Sequence, residues 1–198
     1  MVRTFVAVEL PEVVRAELGR SQREMQRLAR ARNLPIGSSL KWVAPEGIHL
    51  TLKFLGEVPE AMVEPIAEAV QVATAGRPAL NLELSGRGAF PSARSPRVLW
   101  VGLAGDLAAL ADLQRVVEQE LGRLGFAPEN RAFSPHLTLA RVREQAAPVE
   151  RRAVAELLTL PQSLITVRFI AGQVSLMKSE LRPSGARYEA LSTFTLRS

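Results

Sequence analysis

The chain has two histidines, and both open the same tetrapeptide: His49-Leu50-Thr51-Leu52 returns as His136-Leu137-Thr138-Leu139. Imidazole, with an ordinary pKa of about 6.5, is the side chain that gives or takes a proton near neutrality. Along a β-strand successive side chains alternate between faces. His49 therefore shares a face with Thr51, and His136 with Thr138, while the leucines turn the other way. Two such strands side by side would gather two imidazoles and two hydroxyls around one small group. A phosphoester suits that set. One imidazole removes a proton from an attacking water or hydroxyl, the other protonates the leaving oxygen, and the threonines donate to the non-bridging oxygens. Either histidine alone would read as a surface or core residue; their identical settings point to chemistry.

Other chemistries find little support. With no cysteine, there is no disulfide, thiol nucleophile or thiolate metal site. Two histidines without nearby paired carboxylates leave too few ligands for a metal, so neither metal nor cofactor is expected. No Gly-x-Ser-x-Gly elbow occurs, and no Gly-rich loop ends in Lys-Ser or Lys-Thr. The net charge of +5 is carried mostly by arginine, since Lys41, Lys53 and Lys178 are the only lysines. Arginine's planar fork suits phosphate, and the charge permits an anionic partner. Met1 to Leu10 does not resemble a signal peptide, and no apolar run reaches the ~18 residues of a membrane span. The expectation is a cytoplasmic protein without membrane contact and, lacking a coiled-coil seam, a monomer.

The elements that must position the motifs are legible in outline. Thr4–Leu10 reads as a strand and Glu12–Arg32 as an amphipathic helix. Strand material follows at Leu40–Val43 and Ile48–Gly56, then a helix from Pro59 to a Gly76 cap. Leu80–Leu84 and Arg97–Leu103 read as strands around a Gly/Pro/Ser-rich loop, Ser85–Ser95, flanked by Arg87, Arg94 and Arg97. Asp106 is an N-cap candidate for a helix running to Gly125. Leu137–Val142 is a strand, Pro148–Leu160 a helix, and strands follow at Ile165–Phe169, Gln173–Met177 and Tyr188–Leu196. This order lacks a regular βαβ rhythm and favours an α+β fold with antiparallel sheets in one unit spanning 1–198. Each motif strand precedes a helix, consistent with an internal duplication.

The doubled His-x-Thr-x resembles the 2H phosphoesterase superfamily. The runs His49–Val58 and Phe133–Arg141 are similar to the bacterial and archaeal RNA 2′,3′-cyclic phosphodiesterases, also called 2′-5′ RNA ligases. Arg3–Pro11, Pro96–Trp100, Leu176–Ser179 and Tyr188 support the match. The resemblance implies a bilobal, pseudo-symmetric fold whose antiparallel sheets line a central cleft with helices outside. It implies metal-independent hydrolysis of a terminal 2′,3′-cyclic phosphate to a 2′-phosphate, with reversible 2′-5′ ligation at the same site. The partner would be RNA with a 2′,3′-cyclic phosphate or 2′-5′ linked ends. In that family the first motif holds the proton donor, here His49, and the second the acceptor, here His136; the residue types alone fit either assignment. Arg141 would contact phosphate, although strict parity from His136 puts it on the leucine face unless the strand bulges after Thr138. Lys53 shares parity with His49 and could hold phosphate or stand as a solvated edge lysine. Trp42 and Phe133 could stack a terminal base; Phe5 reads as core and Ser134 as turn chemistry. Two alternatives stay open: a phosphodiesterase for a small nucleotide such as ADP-ribose 1″,2″-cyclic phosphate, and a non-catalytic RNA-end-binding module.

Overall fold

Hydrophobic periodicity builds the helices and strand alternation builds two sheets. The structure, a computed structural model, describes residues 1–37, 39–161, 166–182 and 185–197. Its strands are β1 (Val2–Val8), β2 (Leu40–Trp42), β3 (Leu50–Val58), β4 (Leu80–Ser92), β5 (Ser95–Gly105), β6 (His136–Val142), β7 (Arg168–Ala171), β8 (Gln173–Arg182) and β9 (Gly185–Thr195). The helices are α1 (Glu12–Ala31), α2 (Val63–Thr74), α3 (Leu107–Arg123) and α4 (Pro148–Thr159). One sheet has the order β3-β1-β8-β9 and the other β2-β6-β5-β4-β7, with every pairing between these strands antiparallel. This is the expected α+β, two-lobed architecture.

The path β1–α1–β3 recurs as β5–α3–β6, and in each case the motif strand pairs with the strand before the helix. The helices, however, are exchanged. α2 packs on β8 and β9, and α3 packs on α2 and on β3, so these two back the first sheet. α4 packs on β5 and against α1, so these two back the second. α1 buries Val14, Leu18, Met25 and Ala29, and α3 buries Leu110, Leu113, Val117 and Leu121, each at helical spacing. Fully burying one such side chain contributes about 1.5–3 kcal/mol. Gly76 and Gly125 follow α2 and α3 at φ 70° and 89°, the left-handed cap a Cβ would strain.

Two expectations change. Ser85–Ser95 is not a loop: β4 runs on to Ser92 and turns directly into β5, its surplus residue absorbed by a bulge at Gly86, φ 66°. Gly, Ser and Pro in that stretch serve a long hairpin. Asp106 stands where the N-cap was expected but makes no side-chain cap bond to α3; its Oδ2 accepts from Asn81 N at 2.8 Å. Of the strand expected at Ile165–Phe169, Ile165 lies outside the described residues and the rest joins β7 from Arg168.

Candidate active site

The motif strands lie at facing edges. β3 is the edge of its sheet, and β2 covers only the Ala140–Val142 end of β6, leaving the His136 end open where β3 and β6 come into contact. Leu50, Leu52, Leu137 and Leu139 are buried, while both histidines and both threonines are half-buried on the other side, as strand parity requires.

Each strand then bulges at the same motif position. Thr51 pairs with Ala7 and Lys53 with Val6, so Leu52 is the extra residue of β3. Thr138 pairs with Trp100 and Ala140 with Leu99, so Leu139 is the extra residue of β6. A bulge reverses the parity beyond it. Arg141 therefore returns to the face of His136 and Thr138, and its charge acts on both His49 and Tyr188 from across the cleft. Lys53 is turned away by the same device: it is buried, with Nζ 2.5 Å from Glu118 Oε2 and 2.8 Å from the Ala127 carbonyl. The expected phosphate role of Lys53 is thus corrected to a structural ion pair.

Both bulges are held by glutamines from the exchanged helices. Gln22 of α1 donates Nε2 to the Leu139 carbonyl at 2.9 Å and to the Val43 carbonyl at 2.7 Å. Gln114 of α3 donates Nε2 to the Leu52 carbonyl at 3.4 Å. Each half of the chain thereby braces the motif of the other. Nothing in the sequence pattern had singled out either residue.

The histidines are oriented alike. His49 Nδ1 lies 2.8 Å from the Gly47 carbonyl, and His136 Nδ1 lies 2.7 Å from the Ser134 carbonyl. A carbonyl can only accept, so Nδ1 carries the hydrogen in both rings and Nε2 is left for chemistry. Ser134, expected as turn chemistry, supplies through its backbone the bond that sets the tautomer.

The ring packing differs between the two. His49 stacks on Phe5 at 4.5 Å between centroids and meets the edge of Tyr188 at 4.9 Å. His136 meets Phe90 edge-on at 4.8 Å. Burial pushes the His49 pKa below its ordinary value; the bond to Gly47 opposes that shift, and the charge of Arg141 adds to it. Burial likewise raises the Tyr188 phenol, so it stays protonated, while the nearby Arg141 and Arg3 pull the other way. Phe5 is buried as expected, but on the histidine face. Phe90 was missed, and Tyr188 entered only through the family likeness; both lie far in sequence from the rings they touch.

Trp42 and Phe133 are half-buried and pack against the main core. Arg94 and Arg97 are exposed near the β4–β5 turn, whereas Arg87 pairs with core Val101 and lies within electrostatic reach of Glu17, Arg20 and Glu24 on α1. Among the described residues no three His, Cys, Asp or Glu side chains cluster as metal ligands. Among the described residues no helix is long and apolar enough to cross a membrane.

The duplicated site has a counterpart in known proteins. The family model for LigT-like phosphoesterases matches twice, over residues 8–100 and 101–188, once for each motif. The chain belongs to the LigT-like phosphoesterase family. Relatives named RNA 2′,3′-cyclic phosphodiesterase include one from Methanothermobacter thermautotrophicus, 34% identical over 98% of this chain and 99% of its own. Another, from Archaeoglobus fulgidus, is 32% identical over 98% of this chain and 99% of its own. Among LigT-like solved structures, one from Thermus thermophilus aligns with a TM-score of 0.78 at 29% identity, over 99% of this chain and 98% of that one. Escherichia coli LigT complexed with 3′-AMP aligns with a TM-score of 0.74 at 26% identity, over 100% of this chain and 99% of that one.

Proposed function

We propose that this protein is a metal-independent RNA 2′,3′-cyclic phosphodiesterase that opens a terminal cyclic phosphate to a 2′-phosphate by two-histidine acid–base catalysis. One observation carries the reading: two imidazoles from two sheets, each with Nδ1 tied to a carbonyl two residues back, offer Nε2 to one cleft. The names of the full-length relatives supply the substrate class.

In the proposed reaction His136 Nε2 takes a proton from water as its oxygen attacks phosphorus. The bond from phosphorus to the 3′-oxygen breaks, and His49 Nε2–H protonates that oxygen. Thr51 and Thr138 donate to the non-bridging oxygens, and Arg141 offsets their charge. A 5′-hydroxyl in place of water would leave a 2′-5′ phosphodiester, and its reversal would regenerate the cyclic phosphate. His49 is held below its usual pKa in the empty cleft, so the bound anion must favour its proton. Trp42 and Phe133 are proposed to flank the terminal nucleoside, and the enzyme to act as a cytoplasmic monomer.

The test is incubation of a short RNA ending in a 2′,3′-cyclic phosphate, with EDTA present, followed by identification of the terminal phosphate. A 2′-phosphate is expected. Undiminished turnover in a His49→Ala, His136→Ala double variant would overturn the mechanism. Turnover confined to a small cyclic nucleotide, or binding without turnover, would favour one of the alternatives.

A further inference from the structure

The first lobe carries an aromatic ring at the motif position where the second carries Arg141. Counted from each histidine through its bulge, Phe54 is the counterpart of Arg141. Phe54 is 54% exposed, although it lies on the face of His49. It continues a row of rings: His49 stacks on Phe5, and Phe5 on Phe54 at 5.7 Å with planes 10° apart. At the end of that row the Arg3 guanidinium lies over Phe54, with Cζ 5.4 Å from the ring centre.

Arg3 and Phe5 are alternate residues of β1 and so share a face. The charges of Arg3 and Arg141 both reach the Tyr188 phenol, which packs on His49. Glu57 stands opposite Arg3 in register, yet among the described residues Arg3 makes no ion pair. A guanidinium seated on an aromatic face is oriented without being neutralised, and its fork matches a phosphate.

We propose that Arg3, seated on Phe54, is a second phosphate subsite that binds the internucleotide phosphate on the 5′ side of the terminal nucleoside. The subsite makes an RNA chain end a better substrate than a mononucleotide. It rests on the cyclic-phosphodiesterase reading and adds what selects the chain. The reacting phosphate remains with His49, His136 and Arg141, and the open edge of Phe54 borders the ribose or base between the two phosphates.

The experiment compares kcat/KM for a dinucleotide ending in a 2′,3′-cyclic phosphate with that for a mononucleoside 2′,3′-cyclic phosphate bearing a free 5′-hydroxyl. The unaltered protein is expected to favour the dinucleotide by about tenfold or more, the scale of one charge-assisted hydrogen bond. Arg3→Gln should bring that ratio towards one, Arg3→Lys should keep part of it, and Phe54→Leu should fall between. The salt dependence of dinucleotide binding should weaken by about one charge in Arg3→Gln. An unchanged ratio in Arg3→Gln, or equal loss on both substrates, overturns the subsite. Fluorescence anisotropy with a labelled RNA ending in a 2′-phosphate gives a readout independent of turnover. Arg3-dependent binding without hydrolysis of either substrate would overturn the hydrolase reading and uphold the subsite. Binding indifferent to Arg3 would overturn the subsite itself.

Discussion

The two lobes solve one problem with the same backbone and different surroundings. In both, a His-Leu-Thr-Leu edge bulges at its second leucine, ties the histidine Nδ1 to a carbonyl, and takes a glutamine from the helix of the other half. Around that frame the first lobe encloses His49 between Phe5 and Tyr188, whereas the second gives His136 one edge contact with Phe90. Beyond the bulge the first lobe places Lys53 in an ion pair and Phe54 in the cleft; the second places Ala140 in the core and Arg141 in the cleft. The shared features hold Nε2 in place. The differing ones set the charge each imidazole feels, which is what two unlike proton-transfer roles require.

The largest effects should fall on what the lobes share. His49→Ala and His136→Ala should each lower kcat by about 10²–10⁴-fold, and the double variant should lose less than the product of the two. A single variant that keeps the full rate would make the likeness of the motifs catalytically empty. Next comes the ion pair that the second lobe lacks. Lys53→Met leaves Glu118 uncompensated and should cost up to about 3–5 kcal/mol in urea unfolding, with much of it restored by adding Glu118→Leu. A loss of activity without loss of stability would return Lys53 to the substrate. Arg141→Met, on the opposite branch of the comparison, should cost about 10²–10³-fold in kcat with little change in stability.

Strand parity placed His49 with Thr51 and His136 with Thr138 without any coordinates, and helical spacing placed α1, α3 and α4. Parity failed after the second leucine of each motif, and for one reason. A single inserted residue per strand exchanges faces, so Lys53 was assigned to the cleft and Arg141 to the leucine side. Residue types carry no signal for such a bulge here. What holds it open is Gln22 or Gln114 on a helix far away in the chain. The β4–β5 hairpin was hidden for a different reason: Gly86, Gly88 and Pro91 signal turns, yet Gly88 is there because a Cβ would come within 2.5 Å of the Trp100 ring. The aromatic partners of the histidines come from β1, β4 and β9, a proximity that only the folded sheets create.

The glutamine braces offer a finer cut. Gln22 makes two bonds, at 2.7 and 2.9 Å, and Gln114 reaches its bulge carbonyl at 3.4 Å. Gln22→Leu leaves the Val43 carbonyl without its side-chain partner and should cost about 1–3 kcal/mol. Gln114→Leu should cost less. If the order reversed, the first bulge rather than the second would depend on its brace.

The smallest effect is also the most specific to the asymmetry, because it touches only charge. His49 titrates below its usual value because of burial first, with the like charge of Arg141 adding to it. Arg141→Gln removes the second cause and leaves the first, so the His49 pKa should rise part of the way back towards about 6.5. With two histidines in the chain, proton NMR shows two imidazole titrations, and a His136→Asn variant assigns them. The sign has a consequence for folding. Because the folded pKa lies below the unfolded one, the unfolded chain binds the proton first. Stability from this group is present above about pH 6.5 and declines as pH falls towards the folded value. Arg141→Gln narrows that window and should flatten the acid limb of the stability curve. A phosphate-bearing ligand should act in the same direction by neutralising Arg141, so its binding near pH 7 should take up protons, as calorimetry in buffers of different ionisation enthalpy would measure. Proton release instead would mean that His49 is already charged in the empty cleft, and the electrostatic difference between the lobes would have to be sought at His136.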